Sequence, residues 1–87
     1  MTLWHMTAHQ EKLLSVRAHL AQNVRFYRTN LGLSQEQLGN ECGFHRTFVS
    51  QIERCVNGAT VDTVERLAVR LGVEPFELLK PRASTDK

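Results

Sequence analysis

From Leu13 onward, apolar residues recur at Val16, Leu20, Val24, Tyr27 and Leu31. Steps of three and four are the period of one helix face. They predict a first helix that Gly32 can end in a left-handed conformation. Its start has two candidates, Thr7 with Gln10 as a capping box, or Ser15. Ser34 marks a second helix as its N-cap, and Gln37 completes an S-x-x-Q capping box. Leu33 before the cap and Leu38 one turn inside fit a hydrophobic staple. Gly43 ends this helix, and a third runs from about Arg46 to Arg54, burying Val49 and Ile52. Asn57 to Ala59 is a turn. Thr60 caps a fourth helix with Val61, Val64, Leu67, Ala68 and Leu71 on one face and Gly72 at its end. Pro75 starts a short fifth helix that Pro81 stops. No segment alternates like a strand. The pattern predicts an all-α, compact five-helix domain over residues 12–80. Residues 1–11 are expected to form a loose extension and 81–87 a disordered polar tail.

The second and third helices are each too short to bury much alone, and packed across each other they form a rigid corner. Leu38 and Cys42 face inward from one, Val49 and Ile52 from the other, and Phe44 plugs the turn. Gly39 permits close approach and Gly43 permits positive φ. The remaining face of the third helix holds Arg46, Thr47, Ser50 and Gln51, donors and acceptors of the types that read base edges in a DNA major groove.

The net charge of +2 is slight, but its distribution changes the picture. Between Lys12 and Gly58 six basic residues face three acids, whereas from Ala59 to Lys80 acids exceed bases by one. Positive charge collects in the half that carries the corner, which suits an anionic partner. No apolar run is long enough to span a membrane. The first twelve residues lack the basic start and apolar run of a signal peptide, so a cytoplasmic protein is expected. Cys42 and Cys55 make no paired-ligand spacing, and His5 and His9 are two ligands at most, so no metal or cofactor is expected. An enzyme pairing either cysteine with His5, His9, His19 or His45 lacks an orienting acid, and none is expected.

The stretches LGLSQEQLGNECGFHRTFVSQIER and TVDTVERLAVRLGVEPFELL resemble the Cro/C1-type (XRE) helix-turn-helix family, lambda-repressor-like in fold, over about Val16 to Lys80. HRTFVSQIER is most similar to restriction–modification controller proteins and small phage repressors. The resemblance implies a transcriptional regulator that binds a partly palindromic operator on double-stranded DNA as a homodimer, third helix in the major groove. By position, Arg46, Thr47, Ser50 and Gln51 would face bases, Gln35 would hold a phosphate, and Ser34, Phe48 and Asn57 would touch the DNA backbone. The family also suggests an ion pair between Arg28 and Glu53. Among the remaining arginines Arg54 is the best phosphate candidate. Arg46 could donate twice to guanine, Gln51 could pair with adenine N6 and N7, and Thr47 could touch a thymine methyl. Phe76, Leu78 and Leu79 exceed what one side of the fifth helix can bury, and are expected to form the dimer seam. The alternatives are an antitoxin or autorepressor of a toxin–antitoxin pair, with a protein partner, and a protein-interaction module without DNA binding. The chain departs from the family pattern at three places. His45 replaces a Ser, Thr or Asp cap, Gly58-Ala59 stands where controllers often carry Asn-Pro, and Cys55 stands where a glycine commonly follows. Asn57-Gly58 is then expected to supply the left-handed turn.

Overall fold

Ser15 accepts a hydrogen bond from the Ala18 N–H at 3.2 Å and opens helix α1, Val16–Asn30. The computed structural model describes residues 15–82. The alternative cap at Thr7, the His5–His9 pair and most of the expected extension and tail lie outside the described residues. α1 closes on Leu31, and Gly32 follows at φ 73° with its N–H on the Thr29 carbonyl. α2 spans Gln35–Cys42 behind a reciprocal capping box. Ser34 accepts from the Gln37 N–H at 2.9 Å, and the Gln37 side chain accepts from the Ser34 N–H at 2.8 Å. α3 spans Arg46–Glu53, α4 spans Val61–Leu71 behind Thr60, and α5 spans Pro75–Leu79. These five helices are the only regular elements among the described residues.

α2 and α3 pack against each other, α1 lies across α3 and α5, and α4 closes the far side against α5 and α2. The shared core is Leu20 and Val24 from α1, Leu38 and Cys42 from α2, Val49 and Ile52 from α3, Val64, Leu67, Ala68 and Leu71 from α4, and Leu78 from α5. Fully burying each aliphatic side chain of Val or Leu size stabilises by roughly 1.5–3 kcal/mol. The first helix shows the limit of periodicity. Leu20 and Val24 are buried, but Val16 and Leu31, on the same stripe, are largely exposed because the neighbouring helices cross only its middle.

Buried Asn23 ties the C-terminus of α5 to α1. Its Nδ2 donates to the Leu78 and Lys80 carbonyls at 3.0 and 2.8 Å, two groups that a helix end leaves without partners. Its Oδ1 accepts from Arg82 at 2.9 Å, and the Arg82 guanidinium lies 3.4 Å from the centre of the Phe26 ring. The packed region therefore runs two residues past the expected boundary at Lys80.

After α3 the left-handed residue is Cys55 itself, at φ 62°, and not Asn57 or Gly58. Its N–H reaches the Ile52 carbonyl at 3.0 Å, and the Val56 and Asn57 N–H groups return to the Gln51 carbonyl. The reversal must follow Arg54 at once for those bonds to form. A left-handed L-residue costs about 1–2 kcal/mol. Against that stands the extra chain entropy of glycine in the unfolded state, about 0.5–1 kcal/mol. Cys55→Gly should stabilise the domain by about 0.5–1 kcal/mol, read as a higher urea midpoint at unchanged slope. A lower midpoint would show that the thiol's packing outweighs the backbone strain.

Candidate nucleic-acid interface

The starts of α2 and α3 face each other across a polar cleft lined by Ser34, Gln35, Glu36, Arg46, Thr47 and Ser50. Two features of the chain hold it open at this width. Gly39 lets the turn lie directly on α2, and Gly43 takes φ 81° so that the chain can reverse. Phe44 then packs edge-on against Phe48, ring centres 5.0 Å apart, and Arg66 lies 5.5 Å from the Phe44 ring centre. His45 starts α3, and its Nδ1 accepts from the Thr47 N–H at 3.1 Å. An imidazole therefore does the work of a Ser or Asp cap, in the form that carries its proton on Nε2. Arg46 and Thr47 are exposed and Ser50 and Gln51 half-buried, while Val49 and Ile52 fill the core from the opposite face.

Glu53 is the electrostatic centre behind this face. Its side chain is 0% exposed and that of Arg28 13%. Arg28 donates through Nε at 2.6 Å and through Nη2 at 2.9 Å, a bidentate pair that ties α1 to α3. The other Arg28 Nη donates to the Leu33 carbonyl at 2.7 Å, which fixes the α1–α2 turn. Two further donors were not expected at this carboxylate: Gln35 Nε2 at 3.1 Å and Arg25 Nε at 3.4 Å. Burial pushes the Glu53 carboxyl up, but hydrogen bonds from Arg28 and Gln35, the charge of Arg28 and the bond from Arg25 outweigh it. They hold the group below the usual carboxylate value. Gln35 keeps one amide N–H for a ligand while the other is fixed on Glu53.

Other site residues divide. Ser34 keeps its hydroxyl hydrogen, since the cap uses its oxygen as acceptor. Arg54 is exposed, with its Nε 3.3 Å from Ser50 Oγ. Phe48 has no donor to offer a phosphate: its N–H is bonded to the His45 carbonyl at 2.9 Å, and its ring is half-buried on Phe44. Asn57 Nδ2 donates to Gln51 Oε1 at 2.6 Å, which turns that oxygen toward the loop after α3. Leu78 is corrected. It is 0% exposed and belongs to the core of one domain, whereas Phe76 is 61% exposed and Leu79 half-buried.

Comparison with known proteins agrees with this geometry. Residues 24–78 match the helix-turn-helix family HTH_3. The chain belongs to the Cro/C1-type (XRE) helix-turn-helix family. It is 44% identical over 66 residues to a hypothetical transcription factor of Neisseria meningitidis, covering 76% of this chain and 62% of that relative's length. The control protein C.BamHI of Bacillus amyloliquefaciens is 39% identical over 66 residues, covering 75% of this chain and 82% of its own. The crystal structure of the hypothetical transcription factor NHTF from Neisseria superposes with a TM-score of 0.74 at 43% identity, over 77% of each chain. Within this helix-turn-helix domain Cys42 is not an available nucleophile. Burial pushes its thiol up more than the nearby Arg70 and Arg66 pull it down, Glu41 adding to the rise, and its Sγ faces the Arg66 carbonyl. Glu41 itself pairs with Arg70 across α2 and α4, an exposed pair that contributes little to stability. Among the described residues no cluster of His, Cys, Asp or Glu could hold a metal ion, and no helix is long and apolar enough to cross a membrane.

Proposed function

We propose that this chain is a cytoplasmic, sequence-specific regulator that binds a partly palindromic operator on double-stranded DNA as a homodimer, with α3 in the major groove. The outer face of α3 carries this reading: Arg46 and Thr47 stand exposed over a polar cleft, backed by a core that leaves them no internal partner. Kinship with a hypothetical transcription factor and a control protein supports it. In this reading Arg46, Thr47, Ser50 and Gln51 face bases, and Ser34, Gln35, Arg54 and Asn57 lie along the phosphates. Affinity falls with salt, with a log–log slope of about −0.9 per phosphate neutralised.

The planar fork of Arg46 suits O6 and N7 of one guanine, a contact that discriminates by about 1–3 kcal/mol. Arg46→Ala should flatten preference at one position in each half-site, the two positions about 34 Å apart. Gln35→Ala should weaken all sequences alike, because a phosphate carries no base identity. Selection on randomised operators separates the two. Uniform loss with every preference intact in Arg46→Ala would make Arg46 a phosphate clamp and sink the assignment.

The dimer seam falls on α5, where Phe76 stands exposed and Leu79 lines an apolar groove with Val16, Val61 and Pro75. Phe76→Arg should give a monomer of unchanged helicity that loses tight operator binding. Sedimentation that still finds a dimer would place the seam elsewhere.

A further inference from the structure

Gln51 is held in a way that its position on α3 does not require. The chain reverses at Cys55, and the Val56 and Asn57 N–H groups return to the Gln51 carbonyl at 2.9 and 3.4 Å. This fold-back sets Asn57 over the last turn of the helix. From there its Nδ2 donates to Gln51 Oε1 at 2.6 Å. Both residues are half-buried, so water competes for the bond less than it would at an open surface. A primary amide has an acceptor pole and a donor pole. The bond takes one of the two lone pairs of the oxygen and turns it toward the loop, while both N–H groups of Gln51 remain to donate.

We propose that Asn57 is a positioning residue for base recognition: it fixes the amide of Gln51 so that Gln51 offers donors to the groove and selects guanine over adenine at its base pair. Guanine presents two adjacent acceptors, N7 and O6, in the major groove. Adenine presents one acceptor beside a donor, and matching both needs the Gln51 oxygen aimed at the base, whereas Asn57 aims it at the loop. Cytosine offers only a donor and is disfavoured most. Specificity at this base pair is thus set partly by a loop residue. The proposal rests on α3 lying in the major groove, and its test separates the two ideas.

Randomised operators are selected with the wild-type chain, Gln51→Ala, Asn57→Ala and Asn57→Asp. Gln51→Ala locates the base pair by flattening it. At that position the wild type should favour guanine over adenine by about tenfold. Asn57→Ala should level the two, because the amide is then free to turn. Asn57→Asp offers only acceptors, so it should turn the Gln51 amide over and invert the preference toward adenine. Its added negative charge weakens all sequences alike and cancels in the relative preferences. A wild type that favours adenine, or Asn57 variants that keep the wild-type preference, overturns the role of Asn57 and leaves the reading of α3 standing. Wild-type binding without any sequence preference overturns the reading of α3 and the proposal with it.

Discussion

Glu53→Ala should destabilise the domain by about 3–5 kcal/mol, the usual consequence of removing one partner from a buried ion pair. The loss is large because Arg28 cannot follow its charge into water. Its guanidinium is held between Glu53 and the Leu33 carbonyl, and its side chain is only 13% exposed. Removing the carboxylate strands that charge, leaves Gln35 without its acceptor, and opens a void under the α1–α3 contact. Arg25 is the control on the same carboxylate. Its side chain is 57% exposed and its bond is 3.4 Å, so Arg25→Ala should cost less than about 1 kcal/mol. Urea midpoints of the two variants measure the contrast. A Glu53→Ala shift no larger than that of Arg25→Ala would remove the pair from the stability of the fold.

The same network predicts an acid limit. The folded carboxyl of Glu53 titrates below its ordinary value of 4.5. A depressed folded value means that the unfolded chain takes up the proton first on acidification. The stabilisation is therefore complete above 4.5 and disappears as the pH falls through the lower folded value. Wild type should lose stability in that window, and Glu53→Ala should show a flatter profile there.

Which residues form helices, and where each helix stops, was legible because those signals are local. Ser34 with Gln37, Gly43, Thr60, Gly72 and Pro75 all sit where the sequence places them. The inward faces were legible wherever a neighbour covers the whole stripe, as on α3, and illegible at the ends of α1 and at the start of α4, where Val61, expected on the inward face, is 83% exposed. Leu78 looked surplus because a five-residue helix has too few positions to define a face. Only the three-dimensional packing against Asn23 and the core shows that it is consumed internally. The left-handed residue after α3 was sought at Asn57-Gly58, where propensity favours it, yet the bonds back to Gln51 and Ile52 force it onto Cys55. Within the site the residue set was legible and its wiring was not. Spacing identifies the side of a helix on which Gln35 and Gln51 fall. It says nothing of which amide atom meets Glu53 and which meets its neighbour.

Gly39→Ala should destabilise by about 2 kcal/mol, although helix propensity alone argues the opposite. In an exposed helix interior, replacing glycine by alanine gains about 1 kcal/mol. Gly39 is buried, and a Cβ there would lie 2.6 Å from the Phe44 carbonyl oxygen and 3.4 Å from the Arg46 nitrogen. Both are backbone atoms, so no rotamer change can relieve the contact. The Phe44 N–H is at the same time bonded to the Gly39 carbonyl at 2.7 Å, which holds the turn against α2. Accommodating the methyl means lifting the turn, which lengthens that bond, unseats Phe44 from Phe48 and shifts the start of α3. Overpacking of this kind costs about 1–3 kcal/mol; a clash with fixed backbone falls at the upper end, and subtracting the propensity gain leaves about 2 kcal/mol. Because α3 starts at the displaced residue, any folded fraction should also bind DNA more weakly at every sequence, the cleft between Ser34 and Arg46 having changed width. Gly32 supplies the comparison for the urea midpoint. A Cβ there meets nothing within 4 Å, and only its φ of 73° resists substitution, so Gly32→Ala should cost about 1 kcal/mol and leave DNA binding intact. Equal shifts for the two variants would mean that the turn yields freely, and that Gly39 does not set the geometry of the corner.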